Sequence, residues 1–333
     1  MSTTTKSSFF CVLLAIGISI YYNFFIIKEN ILIPKRWQVN TFDLSIDTEG
    51  KQAIKITTIN NFMPKQLAIN MYKQLEKKYN NMDSNDLLLL SNKNFSSSND
   101  KNKNEYESWV YASNTGGGNQ KIRSNENIIN RHKKAVELAG KKHFAYSKFE
   151  LSPKSDSSKE LIKLVREFLG DKQNRFAIEK IMGLKQQKAR RKLVGLTDIF
   201  ITLYEKGNFL SVHNDENSGS LAVVISLSKH WKEKYGGNLE FFCMNKKQWC
   251  KKLIPKFNSA TLFLSRPHNV WHRVSQVNNQ LSSGKKKKKP RRYAITSWYA
   301  TSDDKIDQEY LEECNKMIGT DSGSKCDDLL FID

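Results

Sequence analysis

The sequence predicts an α+β fold: a jelly-roll or barrel-like β core backed by helices and preceded by one N-terminal transmembrane helix. Three observations carry that expectation. An almost unbroken apolar run lies near the start, four-residue apolar spacing marks the middle, and from residue 197 short β-branched and aromatic segments take over.

In chain order, a short tail (1–7) precedes Ser8 to Ile27, a stretch with no charge and one Asn. Its length is close to the roughly 20 residues that cross a bilayer, and Tyr21 and Tyr22 suit an interface. It is too long for the apolar part of a cleaved signal peptide and no small-residue cleavage site follows, so the expectation is an uncleaved signal anchor. Residues 28–50 are expected to be a juxtamembrane linker. An extended segment at 51–63 leads to Pro64, where a helix can start. Leu67, Met71 and Leu75 then predict an amphipathic helix over 64–80. Residues 82–130, rich in Asn, Ser and Lys, are expected to be mostly a long surface loop or partly disordered insertion.

Ser157-Ser158-Lys159-Glu160 reads as a capping box for a helix ending near Gly170, and a second helix is expected over 174–183. These helices make 51–197 a support region. The strand-rich segments DIFITLYEKG, FLSVHND, SLAVVISLSK, NLEFF, SATLFLS, HRVSQV and YAITSWYA define a core at 198–301, broken by turns such as Lys206-Gly207-Asn208 and Gly236-Gly237-Asn238. Residues 302–333 are expected to be a peripheral tail.

The charge is lopsided: 54 basic against 34 acidic residues, +20 net. No nucleic-acid module accompanies it, so lysine-rich loops are the simpler reading and a nucleic-acid partner is not expected. The five cysteines show no zinc or CxxC spacing; Cys314 and Cys326 can pair in an oxidising compartment, or all can stay reduced. Orientation of the anchor stays open. Lys28, Lys35 and Arg36 after the span lean toward a cytoplasmic domain, while the short tail suits a luminal one equally well. The expectation taken forward is a single-pass endoplasmic reticulum or Golgi protein with a luminal catalytic domain.

The chemistry concentrates in three places. Strand alternation turns His213 and Asp215 to one side and Asn214 away, and His272 comes from another strand. Two imidazoles and one carboxylate can hold a metal on one face and leave the other open, the ligand set of a non-haem iron oxygenase. Arg292 shares a strand face with Ala294 and Thr296. Its fork can grip the far carboxylate of a dicarboxylic co-substrate. Thr296 offers a hydroxyl, Tyr204 on the preceding strand a phenol, and Arg291 is expected on the opposite, solvated side.

In this order, LYEKGNFLSVHND, LSKHWKEKYGGNLEFF, PKFNSATLFLS, HRVSQV and RRYAITSWY resemble the 2-oxoglutarate/Fe(II)-dependent dioxygenases, specifically their prolyl 4-hydroxylase-like branch. The resemblance spans about residues 198–301 and implies a double-stranded β-helix. It implies Fe(II) on His213, Asp215 and His272, and the C5 carboxylate of 2-oxoglutarate on Arg292, with Tyr204 and Thr296 assisting and Trp298 packed nearby. Hydroxylation of a prolyl residue in a protein or peptide is the leading expectation it implies, with O2 consumed, succinate and CO2 released, and ascorbate as a further candidate ligand. Oxygenation of another side chain, a small molecule or nucleic acid, or a non-catalytic cupin-like binding module, are the alternatives. Two departures stand out. The connection from His272 to Arg292 is long and carries five lysines, 285–289. Many collagen-type relatives use Lys where this chain has Arg292, which turns the expectation away from a collagen-like substrate.

Overall fold

The computed structural model describes residues 33–45, 53–80, 109–113, 128–152, 156–184, 191–244, 246–278, 291–309 and 312. The expected anchor at 8–27, the lysine run at 285–289, and Cys314 and Cys326 lie outside them. Among the described residues no helix is long and apolar enough to cross a membrane.

Thirteen strands form one hydrogen-bonded sheet. They are β1 (Gln38–Ser45), β2 (Ala53–Asn60), β3 (Trp109–Ser113), β4 (Tyr146–Leu151), β5 (Leu193–Leu196), β6 (Phe200–Tyr204) and β7 (Phe209–His213). The rest are β8 (Leu221–Ser226), β9 (Leu239–Cys243), β10 (Gln248–Leu253), β11 (Ser259–Leu264), β12 (His272–Val274) and β13 (Arg292–Thr301). Their spatial order is β1-β2-β11-β8-β13-β6-β4-β7-β12-β9-β10, with β3 beside β4 and β5 beside β13. The path curls on itself: Lys251 of β10 lies 4.0 Å from the ring of Phe42 on β1, at the other end of the order. The result is a jelly-roll-like barrel with strongly non-consecutive neighbours.

Period-two alternation gives the curled sheet two faces. On β13, Tyr293, Ile295 and Tyr299 join an outer core, whereas Trp298 belongs to the inner one with Tyr204, Phe241 and Phe263. The outer face is covered by helices α1 (Lys65–Asn80), α3 (Asp156–Gly170) and α4 (Lys172–Met182), while α2 (Ile128–Gly140) sets Ala135 against Phe209 of β7. Helix α1 buries Ala68, Met71 and Leu75, the three- and four-residue spacing of one helical face. Helix α4 starts where the Asp171 side chain accepts from the Asn174 amide and stops at Gly183, whose φ of 69° suits glycine.

Several expectations need correction. Residues 28–50 are not all linker, because β1 pairs residue by residue with β2. The supposed insertion at 82–130 contains β3, whose Trp109 and Tyr111 are buried, and the start of α2. Asn- and Ser-rich flanks hid a five-residue strand from pattern reading. Strands β4, β5 and β10 escaped for the same reason: each is short, and none has a turn signal on both sides. The C-terminal segment is not wholly peripheral, since buried Asp307 ion-pairs with Arg266 and Asp304 lies 3.1 Å from Arg266 Nε. The cysteine reading changes too: within the described residues Cys243 and Cys250 form a disulfide, Cα–Cα 5.7 Å, across the β9–β10 hairpin.

Candidate metal centre and anion pocket

His213 closes β7, and His272 opens β12 directly opposite it in the antiparallel register. Facing positions of neighbouring strands hold their side chains close, and the two rings sit 4.1 Å apart between centroids. Asp215 follows two residues after His213. Its Oδ1 lies 3.4 Å from His213 Nε2 and its Oδ2 3.4 Å from His272 Nε2. Each residue offers one donor atom, and these atoms all lie within 4.8 Å of one another, the one such group among the described residues.

The backbone sets the tautomers. His213 Nδ1 lies 2.9 Å from the Ser211 carbonyl, and His272 Nδ1 lies 2.8 Å from the Val270 carbonyl. A carbonyl only accepts, so each Nδ1 carries the proton and donates, and each Nε2 lone pair points at Asp215 and the space between. Burial, reinforced by His213, depresses the His272 pKa to about 4, against the pull of Asp215 and the Val270 carbonyl. It is therefore neutral at pH 7, with a lone pair that could bind a metal. Burial pushes the Asp215 carboxyl up, but His272, His213 and Trp298 outweigh it and hold the group at about 2. The Trp298 indole nitrogen has no hydrogen-bond partner, so its influence is one of proximity rather than of a formed bond. An ionised carboxylate between two imidazole lone pairs attracts a divalent cation.

The surroundings are asymmetric. Phe263 and Phe241 pack on His272 at 4.9 and 5.9 Å, giving it a dry wall. Phe144 lies 5.4 Å from His213 and is 44% exposed, with Val212 beside it 42% exposed, so the His213 side opens to solvent.

Arg292 stands on the inner face of β13 and is 3% exposed. Its Nε donates to the Gly237 carbonyl at 2.6 Å, its guanidinium lies 4.5 Å from the Tyr204 ring centroid, and its Nη1 has no partner. No carboxylate among the described residues pairs with it. Burial pushes its pKa down, yet a guanidinium stays charged at neutral pH. Gly237 is required here: φ is +62°, and a Cβ would meet Arg292 Cδ at 2.8 Å. The glycine turn that marks this site in the sequence therefore seats the arginine.

Arg291 corrects an expectation. It is half-buried rather than solvated, with Nη1 2.9 Å from both Glu76 carboxylate oxygens and the guanidinium 3.5 Å from the Tyr79 ring. Tyr293 donates to the same carboxylate at 3.0 Å. Adjacent arginines thus differ sharply: one has its counter-charge within the protein, and the other faces a pocket without one. Tyr204 is brought to Arg292 as expected, since the two are register partners. Thr296 shares their face but pairs with Phe200, two in-face steps along β13, and no contact joins it to Arg292. Trp298 packs edge-on against Phe200 at 6.1 Å, near Asp215. Sequence reasoning missed Lys148 and Glu150 on β4, which face the same interior and form a 3.0 Å ion pair. Alternation in YSKFEL was the only available signal.

Residues 199–300 match the sequence model of the 2OG-Fe(II) oxygenase superfamily. No curated relative matches the chain. Similar solved structures include a prolyl hydroxylase from Trichoplax adhaerens in complex with a hypoxia inducible factor oxygen degradation domain peptide fragment. It is 16% identical, with 76% of this chain and 86% of that one covered and a TM-score of 0.43. A Pseudomonas putida prolyl-4-hydroxylase is 15% identical over 58% of this chain and 92% of its own, TM-score 0.30. A full-length Neurospora crassa protein in complex with alpha-KG is 12% identical over 74% of this chain and 75% of its own, TM-score 0.35.

Proposed function

We infer that this chain, a 2-oxoglutarate/Fe(II)-dependent oxygenase through its 199–300 core, hydroxylates a C–H bond of a protein or peptide, a prolyl residue above all. His213, Asp215 and His272 hold the iron, and Arg292 takes the far carboxylate of 2-oxoglutarate. The observation that carries the reading is Arg292: a buried guanidinium with an unpartnered nitrogen, on the inner face that also holds a His-Asp-His group. A buried unpaired charge costs several kcal/mol, on the order of a broken buried ion pair, so it is retained for an anion that arrives.

When bound, Fe(II) supplies the redox chemistry that couples decarboxylation of 2-oxoglutarate to oxygen insertion. The protein's part is positioning. The carbonyls of Ser211 and Val270 aim the two imidazoles, Asp215 neutralises part of the metal charge, and Phe241 and Phe263 exclude water from the His272 side. Arg292 orients the dicarboxylate, and Tyr204 shields that grip from solvent. The exposed Phe144 ring next to His213 supports a peptide substrate, because an aromatic face at the open mouth suits packing by a prolyl ring.

Residues 8–27 form the membrane anchor in this reading, and the catalytic domain faces the endoplasmic reticulum or Golgi lumen. The Cys243–Cys250 disulfide supports that orientation, since such bonds persist in oxidising compartments. The test is succinate release requiring both Fe(II) and 2-oxoglutarate, abolished in His213→Ala and Asp215→Ala. A screen of prolyl peptides for a one-oxygen mass increase then identifies the substrate. Turnover of 2-oxoglutarate with oxygen found only on another side chain would reject the prolyl part alone.

A further inference from the structure

Strand register places a second cation beside the anion pocket. Tyr204 is opposite Arg292 across the β6–β13 pair. Across β6–β4, Phe149 is opposite Leu203 and Glu150 opposite Thr202, and the next step of that antiparallel register brings Lys148 alongside Tyr204. Lys148, Tyr204 and Arg292 therefore make one cross-strand row on the inner face: cation, phenol, cation. The Lys148 ammonium lies over inner-face rings, 5.2 Å from Tyr146 and 5.6 Å from Phe200, and its side chain is only 13% exposed.

A purely structural role explains this poorly. Packing the pair Lys148–Glu150 inside a barrel otherwise walled by Phe200, Trp298 and Leu210 gains little over apolar residues of the same volume. The row's two positive groups have one carboxylate beside them, Glu150, so a surplus positive charge stays in a low-dielectric space. Burial disfavours the charged lysine, but Tyr204 and Glu150 more than offset it and keep the ammonium protonated.

We propose that Lys148 is a specificity-determining residue of the co-substrate pocket, acting with Arg292 on the distal carboxylate of the dicarboxylate, with Glu150 moderating its charge. This rests on the reading of the site as a 2-oxoglutarate pocket. Arg292 gives direction through its planar fork. Lys148 adds attraction that a 2-oxo acid with a single carboxylate does not feel. The surplus charge then selects dianions over monoanions.

The test is ligand binding by the full chain loaded with Fe(II) without oxygen, read from thermal shift and from the visible absorbance of the metal–oxo acid complex. The probes are 2-oxoglutarate and the monoanion 2-oxobutyrate. Lys148→Met is expected to weaken 2-oxoglutarate about tenfold and leave 2-oxobutyrate within about twofold, an electrostatic loss at intermediate dielectric. Glu150→Gln, which removes the moderating charge, is expected to tighten 2-oxoglutarate a few-fold. Circular dichroism of both variants checks folding, and the opposite signs of the two effects exclude a shared loss of structure. Equal weakening of both probes in Lys148→Met, or no weakening of either, overturns the proposal. Arg292→Met separates the two levels. If it abolishes 2-oxoglutarate binding while Lys148→Met changes nothing, only this inference fails. If the wild-type protein does not bind 2-oxoglutarate, the pocket reading itself fails.

Discussion

Replacing Arg292 with Met is the perturbation with the most to say, because it should leave stability nearly unchanged while it weakens binding. In the ligand-free protein the side chain makes one short bond, to the Gly237 carbonyl, and packs on Tyr204, while Nη1 is unsatisfied. Loss of the bond and the cation–π contact costs about 1–3 kcal/mol together. Relief of an unpaired buried charge returns a comparable amount. Methionine is unbranched and fills most of the stem volume. The net change in unfolding free energy is therefore small, within about 1 kcal/mol of zero. Binding behaves otherwise. Deleting one partner of a buried charge pair costs about 3–5 kcal/mol, or roughly two to three and a half orders of magnitude in Kd. In a thermal melt, 2-oxoglutarate at 100 times its wild-type Kd stabilises the native protein by about 2.7 kcal/mol, and that increment should vanish in the variant. An Arg292→Met protein that melts like wild type and still binds 2-oxoglutarate within threefold of wild type would refute the reasoning that the arginine waits for a carboxylate.

Other consequences are equally direct. His213→Ala and Asp215→Ala should each remove the Fe(II)-dependent rise in melting temperature, and chelation of the wild-type protein should reproduce the loss, as followed by differential scanning fluorimetry. Gly237→Ala forces φ of +62° on a β-carbon and drives it against Arg292 Cδ. It should cost about 1–3 kcal/mol of stability and also raise the KM for 2-oxoglutarate, a combination that a strained but remote turn would not give. Glu76→Gln strips the counter-charge from half-buried Arg291, and chemical denaturation should show a loss of about 1–3 kcal/mol with the iron affinity unchanged.

Much of the site was legible along the chain because its signals are local. Alternation alone put His213 and Asp215 on one side and separated Arg292 from Arg291, and both separations hold in the folded molecule. The two glycines before Asn238 marked the turn that seats Arg292. Helix α1 was readable from Leu67, Met71 and Leu75, since a helix buries one face at a spacing the sequence displays. Strands β3 and β4 were not readable. A five- or six-residue strand in polar surroundings carries too few alternations to stand out, and its partners are distant. For the same reason Lys148 and Glu150 went unseen, and Arg291 was assigned to solvent although its partner Glu76 lies 215 positions earlier.

What the sequence determined by itself was therefore which side chains can gather as candidate ligands and the sidedness of the strands it showed, because a side chain's direction follows from backbone geometry over two or three residues. Which strands lie side by side is decided by closing long loops and burying two apolar faces at once, and that belongs to the tertiary structure. Only there does His272 come opposite His213, does Cys243 reach Cys250, and does Arg292 turn out to be a buried cation whose counter-charge is missing.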